Sequence, residues 1–134
     1  MPRLKTSQEL LSQVFLNTRN YSKALNIIES LPNKSIKMRE AYQQVAYYRG
    51  VQVYNDGDGK QAKALFVKSL QNPIDQRIRA LANYWMGEIN YVLGDYDSSV
   101  KDYNQFITIS KSIPRAFTDE ASESTANYAL GYIH

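Results

Sequence analysis

Small residues recur along this chain at a spacing that suits a repeated pair of helices. Ser12, Gly50, Gly87 and Gly131 fall 38, 37 and 44 residues apart. Twelve residues after each of the first three stands another small residue: Ala24, Ala62 and Ser99. Sixteen residues after stands a large one: Ile28, Phe66 and Tyr103. A tyrosine precedes each glycine by three residues, at Tyr47, Tyr84 and Tyr128. A small residue on each of two helices at their crossing lets the backbones approach, and the large residue fills the space beside them. One such coincidence says nothing. Three with a common offset define a unit.

The stretch Arg79 to Ile107 shows the unit most clearly. Ala82, Met86, Ile89 and Leu93 lie at i, i+4, i+7 and i+11, on one face of a helix. Gly94 stops that helix and Asp95 caps the next. Val100, Tyr103 and Ile107 give the second helix its own apolar face. With so short a connection the two helices must fold back as an antiparallel hairpin.

The same reading extends along the chain. Thr6-Ser7-Gln8-Glu9 resembles a capping box, starting a helix that runs to about Asn17. Asn20 opens a second helix, with Ala24, Ile27, Ile28 and Leu31 on one face, and Pro32 closes it. After a loop containing Ser35, a long helix runs to about Tyr54. Residues 55–59 form a turn, and Gln61 to Leu70 the next helix. Asn72-Pro73 breaks that helix and Asp75 caps the following one. A last break at Pro114 precedes Thr118-Asp119-Glu120-Ala121, a cap for a helix running to the end.

At 134 residues the chain can bury one domain's core without a disulfide or a metal. It has no cysteine, and its one histidine, His134, is the last residue. Thiolate chemistry is therefore excluded, and no histidine-centred base or metal cluster can be assembled. Asp56-Gly57-Asp58-Gly59 lacks the third acidic ligand and the distal Glu of a calcium loop. Gly59-Lys60 lacks the upstream Gly and the following Ser/Thr of a phosphate loop. No enzyme, no cofactor and no metal site is expected. Residues 1–54 carry eight Lys/Arg against three Glu, and residues 55–134 eight against ten Asp/Glu. That gradient is too weak for nucleic acid, which wants a concentrated basic stripe. No apolar run approaches a membrane span, and the start of the chain has no signal-peptide apolar region.

These residues resemble the tetratricopeptide repeat family, whose units pair two helices around a W-x2-L-G-x2-Y…A-x3-F…P pattern. Ala62-Lys63-Ala64-Leu65-Phe66 matches the second-helix signature, and Leu93-Gly94-Asp95-Tyr96 is similar to the turn between helices. The resemblance covers nearly the whole chain, and the segment YWMGE…Y…GDY looks most like bacterial cell-envelope members. The departures are Trp85, displaced from its usual place, tyrosines four residues after glycine (Tyr54, Tyr91), and Arg49 and Phe106 at positions of other type. What the resemblance implies is an all-α fold, a right-handed superhelix or α-α solenoid of about three helical hairpins plus one terminal helix. It forms a single domain over 1–134, with repeats at about 5–35, 36–73 and 74–112 and a partial one at 118–134. The narrower likeness implies the periplasm or cell envelope; without it the expected compartment is the cytoplasm.

The 11 tyrosines bear on function, because six of them fall into one recurring pattern. Tyr47, Val51 and Tyr54 form an i, i+4, i+7 stripe. Tyr84, Glu88 and Tyr91 repeat it, and Tyr128 and Tyr132 begin it again. Tyr84 stands roughly 200° around its helix from Ala82, so packing within the hairpin does not account for it. In the family, first helices line a concave groove. These eight residues are then the expected partner-binding surface, tyrosine offering a large apolar face and a hydroxyl at low entropy cost. The alternative for the same tyrosines is that they wedge between first helices and stiffen the superhelix. Trp85 is expected between hairpins, Met86, Phe66 and Tyr103 in the core, and Lys34, Lys37 and Arg39 on a solvated face. The carboxylate clamp of some family members is not expected, because Tyr, Val and Glu occupy the corresponding positions.

The expected role is thus a protein-interaction scaffold with a protein or peptide partner, without nucleic acid and without a membrane span. The alternative role is a structural or oligomerisation module. Leu130 and Gly131 would lack a second helix to pack on. From that, the chain is expected to be a segment of a longer repeat protein, able to self-associate through its open C-terminal end.

Overall fold

The structure, a computed structural model, describes residues 7–113. Within them lie six helices and no strand: α1 Ser7–Asn17, α2 Tyr21–Glu29, α3 Ile36–Asn55, α4 Gly59–Leu70, α5 Gln76–Val92 and α6 Tyr96–Lys111. The fold of this region is all-α. The break at Pro114, the cap at Thr118 and the terminal helix with Tyr128, Leu130, Gly131 and Tyr132 lie outside the described residues.

Local chemistry sets each boundary. Asn20, Ser35, Asp58, Asp75 and Asp95 are N-caps, each accepting a backbone N–H from the first turn of its helix at 2.9–3.2 Å. A cap of this kind is worth about 1 kcal/mol. The two hairpin turns have one construction. Gly57 (φ +93°) and Gly94 (φ +84°) adopt the left-handed conformation that side chains resist. Gly94 N–H bonds Tyr91 O at 3.1 Å and Asp95 N–H bonds Asn90 O at 2.8 Å. Gly57 and Asp58 make the matching bonds to Tyr54 O and Val53 O. Both are the doubly bonded helix stop that leaves the next residue placed to cap. Asp58 starts α4 at Gly59, two residues before the expected Gln61.

The crossings repeat as the spacing implies. Ser99 Oγ donates to Gly87 O at 2.8 Å, both buried. The Tyr103 ring lies so close over Gly87 that an added Cβ would meet it at 2.8 Å. Gly50 stands in the same relation to Phe66, at 2.9 Å. The first pair is looser: α1 and α2 each pack on α3 rather than chiefly on one another. The Ser12 hydroxyl donates to Glu9 O within α1, not across to α2.

Helix α3 is central, in contact with α1, α2, α4 and α5, and is buried on several faces. One apolar cluster joins α1–α5, and a second joins Ala80 and Tyr84 of α5 to Tyr103, Phe106, Ile107 and Ile109 of α6. Leu81 and Trp85 pack against both. This corrects the expected use of α5. Ala82, Met86 and Ile89 belong to the first cluster, with α3 and α4 residues, and Leu93 is exposed. The face turned to α6 is Ala80, Tyr84 and Gly87. A helix inside a stack needs two apolar faces, one for its own hairpin and one for the preceding one.

Loops between hairpins are held by glutamine side chains. Gln43, fully buried, donates to Asp75 O at 2.8 Å and accepts from Asp75 N–H at 2.7 Å. Ser69 Oγ bonds the Gln43 carbonyl at 2.8 Å. Gln8 does the equivalent one hairpin earlier, donating to Asn33 O and accepting from Ser35 N–H. Each amide reaches from a first helix to the N-cap of the next first helix. The Gln43 bonds are partly buried, where unpaired backbone groups would be costly, while those of Gln8 are exposed.

Candidate interaction surface

The tyrosine stripe divides in two. Tyr47 and Tyr84, expected on the groove wall, have their side chains inside, 3% and 6% exposed. Tyr47 packs its ring against Phe66 (5.7 Å) and Tyr48 (5.4 Å), and its hydroxyl accepts from Trp85 Nε1 at 3.0 Å. Tyr84 packs against Trp85, Phe106 and Tyr103 at 5.5–6.1 Å, and its hydroxyl donates to Glu88 Oε1 at 2.8 Å. Contrary to the 200° argument, Tyr84 is turned to its own hairpin partner, α6. A tyrosine ring can fill an apolar seam as long as its hydroxyl finds a partner at the rim.

Val51, Tyr54, Glu88 and Tyr91 are half-buried. Tyr54, near the end of α3, tilts against Trp85 of α5 at 5.4 Å. Tyr91 pairs at 5.5 Å with Tyr96, which opens α6 and is 52% exposed. Val92 and Leu93, at the same turn, are also exposed. Tyr128 and Tyr132 lie outside the described residues.

Trp85 stands between hairpins, as expected. Its indole is stacked on Phe66, with 5° between the planes and 6.4 Å between centroids. It therefore links α3, α4 and α5. Phe66 and Tyr103 are buried in the core, and Met86 is 8% exposed at its edge.

Glu88 organises the charge here. Burial, and then the nearby Glu88 carboxylate, raises the Tyr54 hydroxyl's pKa above its ordinary value. Tyr103 is pushed up by burial first, and then by Glu88 through its charge and a hydrogen bond. Elsewhere burial and the Glu29 carboxylate raise Tyr42, whose hydroxyl bonds Glu29 at 2.8 Å beside the Lys68–Glu29 ion pair. Burial also raises Tyr48.

These shifts have one sign. A phenol with its folded pKa above the usual 10.0 holds its proton more tightly in the folded state. Its contribution is complete below pH 10 and is lost as pH rises past it. Urea unfolding followed between roughly pH 8 and 12 should show the stability from Tyr42, Tyr48, Tyr54 and Tyr103 falling only above pH 10, with the last part of the tyrosinate absorbance rising together with loss of helicity. Full ionisation of tyrosine in a still-helical chain would contradict this packing.

Sequence reasoning missed three features. The glutamine anchors Gln8 and Gln43 join residues 25 to 32 positions apart and leave no local signature. Asn90, 2% exposed, donates to Asp102 at 2.7 Å, and burial raises the Asp102 carboxyl. Tyr96 could have been found, since an aromatic directly after the Asp95 cap falls on the first, exposed turn of a helix. Among the described residues no three His, Cys, Asp or Glu side chains are grouped to hold a metal ion. None of the described helices is long and apolar enough to cross a membrane. Comparison with known proteins finds no matching family model, no matching curated protein and no matching solved structure.

Proposed function

We propose that this chain is a non-enzymatic protein-interaction scaffold, built as a right-handed superhelix of the tetratricopeptide type. Its first helices, α1, α3 and α5, line a groove that receives an extended or helical segment of another protein. One observation carries the reading. The core uses Tyr47 and Tyr84, yet leaves Val51, Tyr54, Glu88 and Tyr91 half-exposed on successive first helices. Neighbouring first helices also touch directly, α1 with α3 and α3 with α5. Aromatic side chains already held in place by packing lose little entropy when a partner covers them. The identical hairpin turns at Gly57 and Gly94 and the identical crossings at Gly50 and Gly87 support the repeat.

Tyr54→Ala and Tyr91→Ala should each weaken binding of a partner segment by about 2 kcal/mol while leaving helicity unchanged. Isothermal titration alongside circular dichroism measures both. Loss of stability with binding intact would assign the tyrosines to stiffening instead.

A second reading, self-assembly, has its own support. Leu10, Val14 and Ile27 at the N-terminal pair are 53%, 61% and 39% exposed. Such apolar surface at one end of a stack can receive another chain. Sedimentation of Val14→Asp against the unaltered chain decides it: concentration-dependent dimers lost in the variant favour assembly, and a monomer in both excludes it.

A further inference from the structure

We propose that Glu88, framed by Tyr54, Tyr84 and Trp85, is the receiving site for an arginine side chain of the partner segment. This rests on the scaffold reading and adds the chemistry of what is recognised.

Among the described residues Glu88 is an anion whose partner is a phenol and not a cation. Glu88 is half-buried in the middle of α5. Its partner is a phenol, the Tyr84 hydroxyl at 2.8 Å. Among the described residues no ion pair joins it to a Lys or Arg. Glu29, by contrast, has Lys68 at 2.8 Å. One phenol leaves lone pairs free on a carboxylate that can accept about four bonds. A partly desolvated carboxylate with unused acceptors attracts a cation more strongly than one in water.

The surroundings select the kind of cation. Trp85 stands three residues before Glu88, on the same face of α5; its ring meets Tyr54 at 5.4 Å, and Tyr84 meets Trp85 edge-on at 5.5 Å. Tyr54 and Trp85 are both half-buried, so their rings are partly open to a ligand. Aromatic faces next to a carboxylate suit a planar guanidinium, which stacks on a ring while its N–H fork engages the acid. A lysine ammonium gains the charge but not the stacking.

Trp85 is the chain's only tryptophan, so its emission reports on this site directly. The whole chain is titrated with acetyl-Gly-Arg-Gly-amide, then with the peptides carrying lysine or citrulline in place of arginine. Citrulline keeps the planar shape and drops the charge. The expected result is a saturable emission change with arginine, weaker binding of lysine and none of citrulline. Glu88→Gln, which keeps an acceptor for Tyr84, should weaken arginine roughly tenfold or more. Equal titrations by arginine and citrulline, or by the unaltered chain and Glu88→Gln, would overturn the site. The first comparison needs no variant and stands even if Glu88→Gln folds poorly. If the arginine site fails while partner binding still depends on Tyr54 and Tyr91, the scaffold reading survives and the cation site falls.

Discussion

Gly87→Leu is expected to destabilise the chain by about 3 kcal/mol or more. The first added atom is enough to create the conflict: a Cβ at position 87 would lie 2.8 Å from two carbons of the Tyr103 ring. That ring cannot yield. It is 1% exposed and packed against Tyr84 at 6.1 Å. The helix cannot back away either, because the Ser99 Oγ bond to Gly87 O holds α6 at this distance. Gly87→Ala should do the same more mildly, and pairing it with Tyr103→Leu should recover part of the loss. A double-mutant cycle by urea denaturation measures that coupling. An unchanged midpoint for Gly87→Leu would remove these residues from the crossing.

Phe66→Ala should cost about 3–5 kcal/mol, a large share of the 5–15 kcal/mol that holds a typical domain together. Phe66 is fully buried, lies against the bare backbone of Gly50, stacks on Trp85 and tilts on Tyr47. The cavity it leaves is walled on one side by a residue with no side chain to move in. Trp85 is also held by its bond to Tyr47, so the site can collapse only by breaking that bond. The variant should lose cooperativity across α3, α4 and α5 together, seen as a lower thermal midpoint and a change in Trp85 emission. A midpoint close to that of the unaltered chain would mean that the hairpins do not share one core through Phe66.

The hairpins, caps and crossings were legible because each is written by local chemistry. Gly94-Asp95 stops one helix and starts another within two residues, and Gly87, Ser99 and Tyr103 meet across a single tight turn. The destination of each apolar face was not legible. The stripe Ala82, Met86 and Ile89 announces burial without naming the neighbour that buries it, and the neighbour is the preceding hairpin. Tyr84 misled for the same reason. Its angular distance from that stripe put it away from one packing partner and onto another, α6. Of the residues expected to line a groove, the pattern placed Tyr47, Val51 and Tyr54 on one helix and Tyr84, Glu88 and Tyr91 on another, as α3 and α5 hold them. It could not separate Tyr47 and Tyr84, whose hydroxyls reach Trp85 and Glu88 from inside, from Tyr54 and Tyr91, which stay at the surface. That distinction depends on partners 38 residues away in one case and four in the other. Gln43 shows the limit most plainly: nothing in its neighbourhood foretells a bond to the backbone of Asp75.

The account's central claim is that a partner segment lies along the first helices, and site-specific photo-crosslinking tests it most directly. A photo-reactive side chain is placed at position 51 in one protein, replacing the half-buried Val51 of α3. In a second it replaces Val67, 39% exposed on the second helix of the same hairpin. Both are irradiated in extract from the cells of origin. The account predicts one discrete crosslinked partner from position 51, diminished by Tyr54→Ala, and none from position 67. The same crosslinks from both positions, or a partner captured only from position 67, would contradict it.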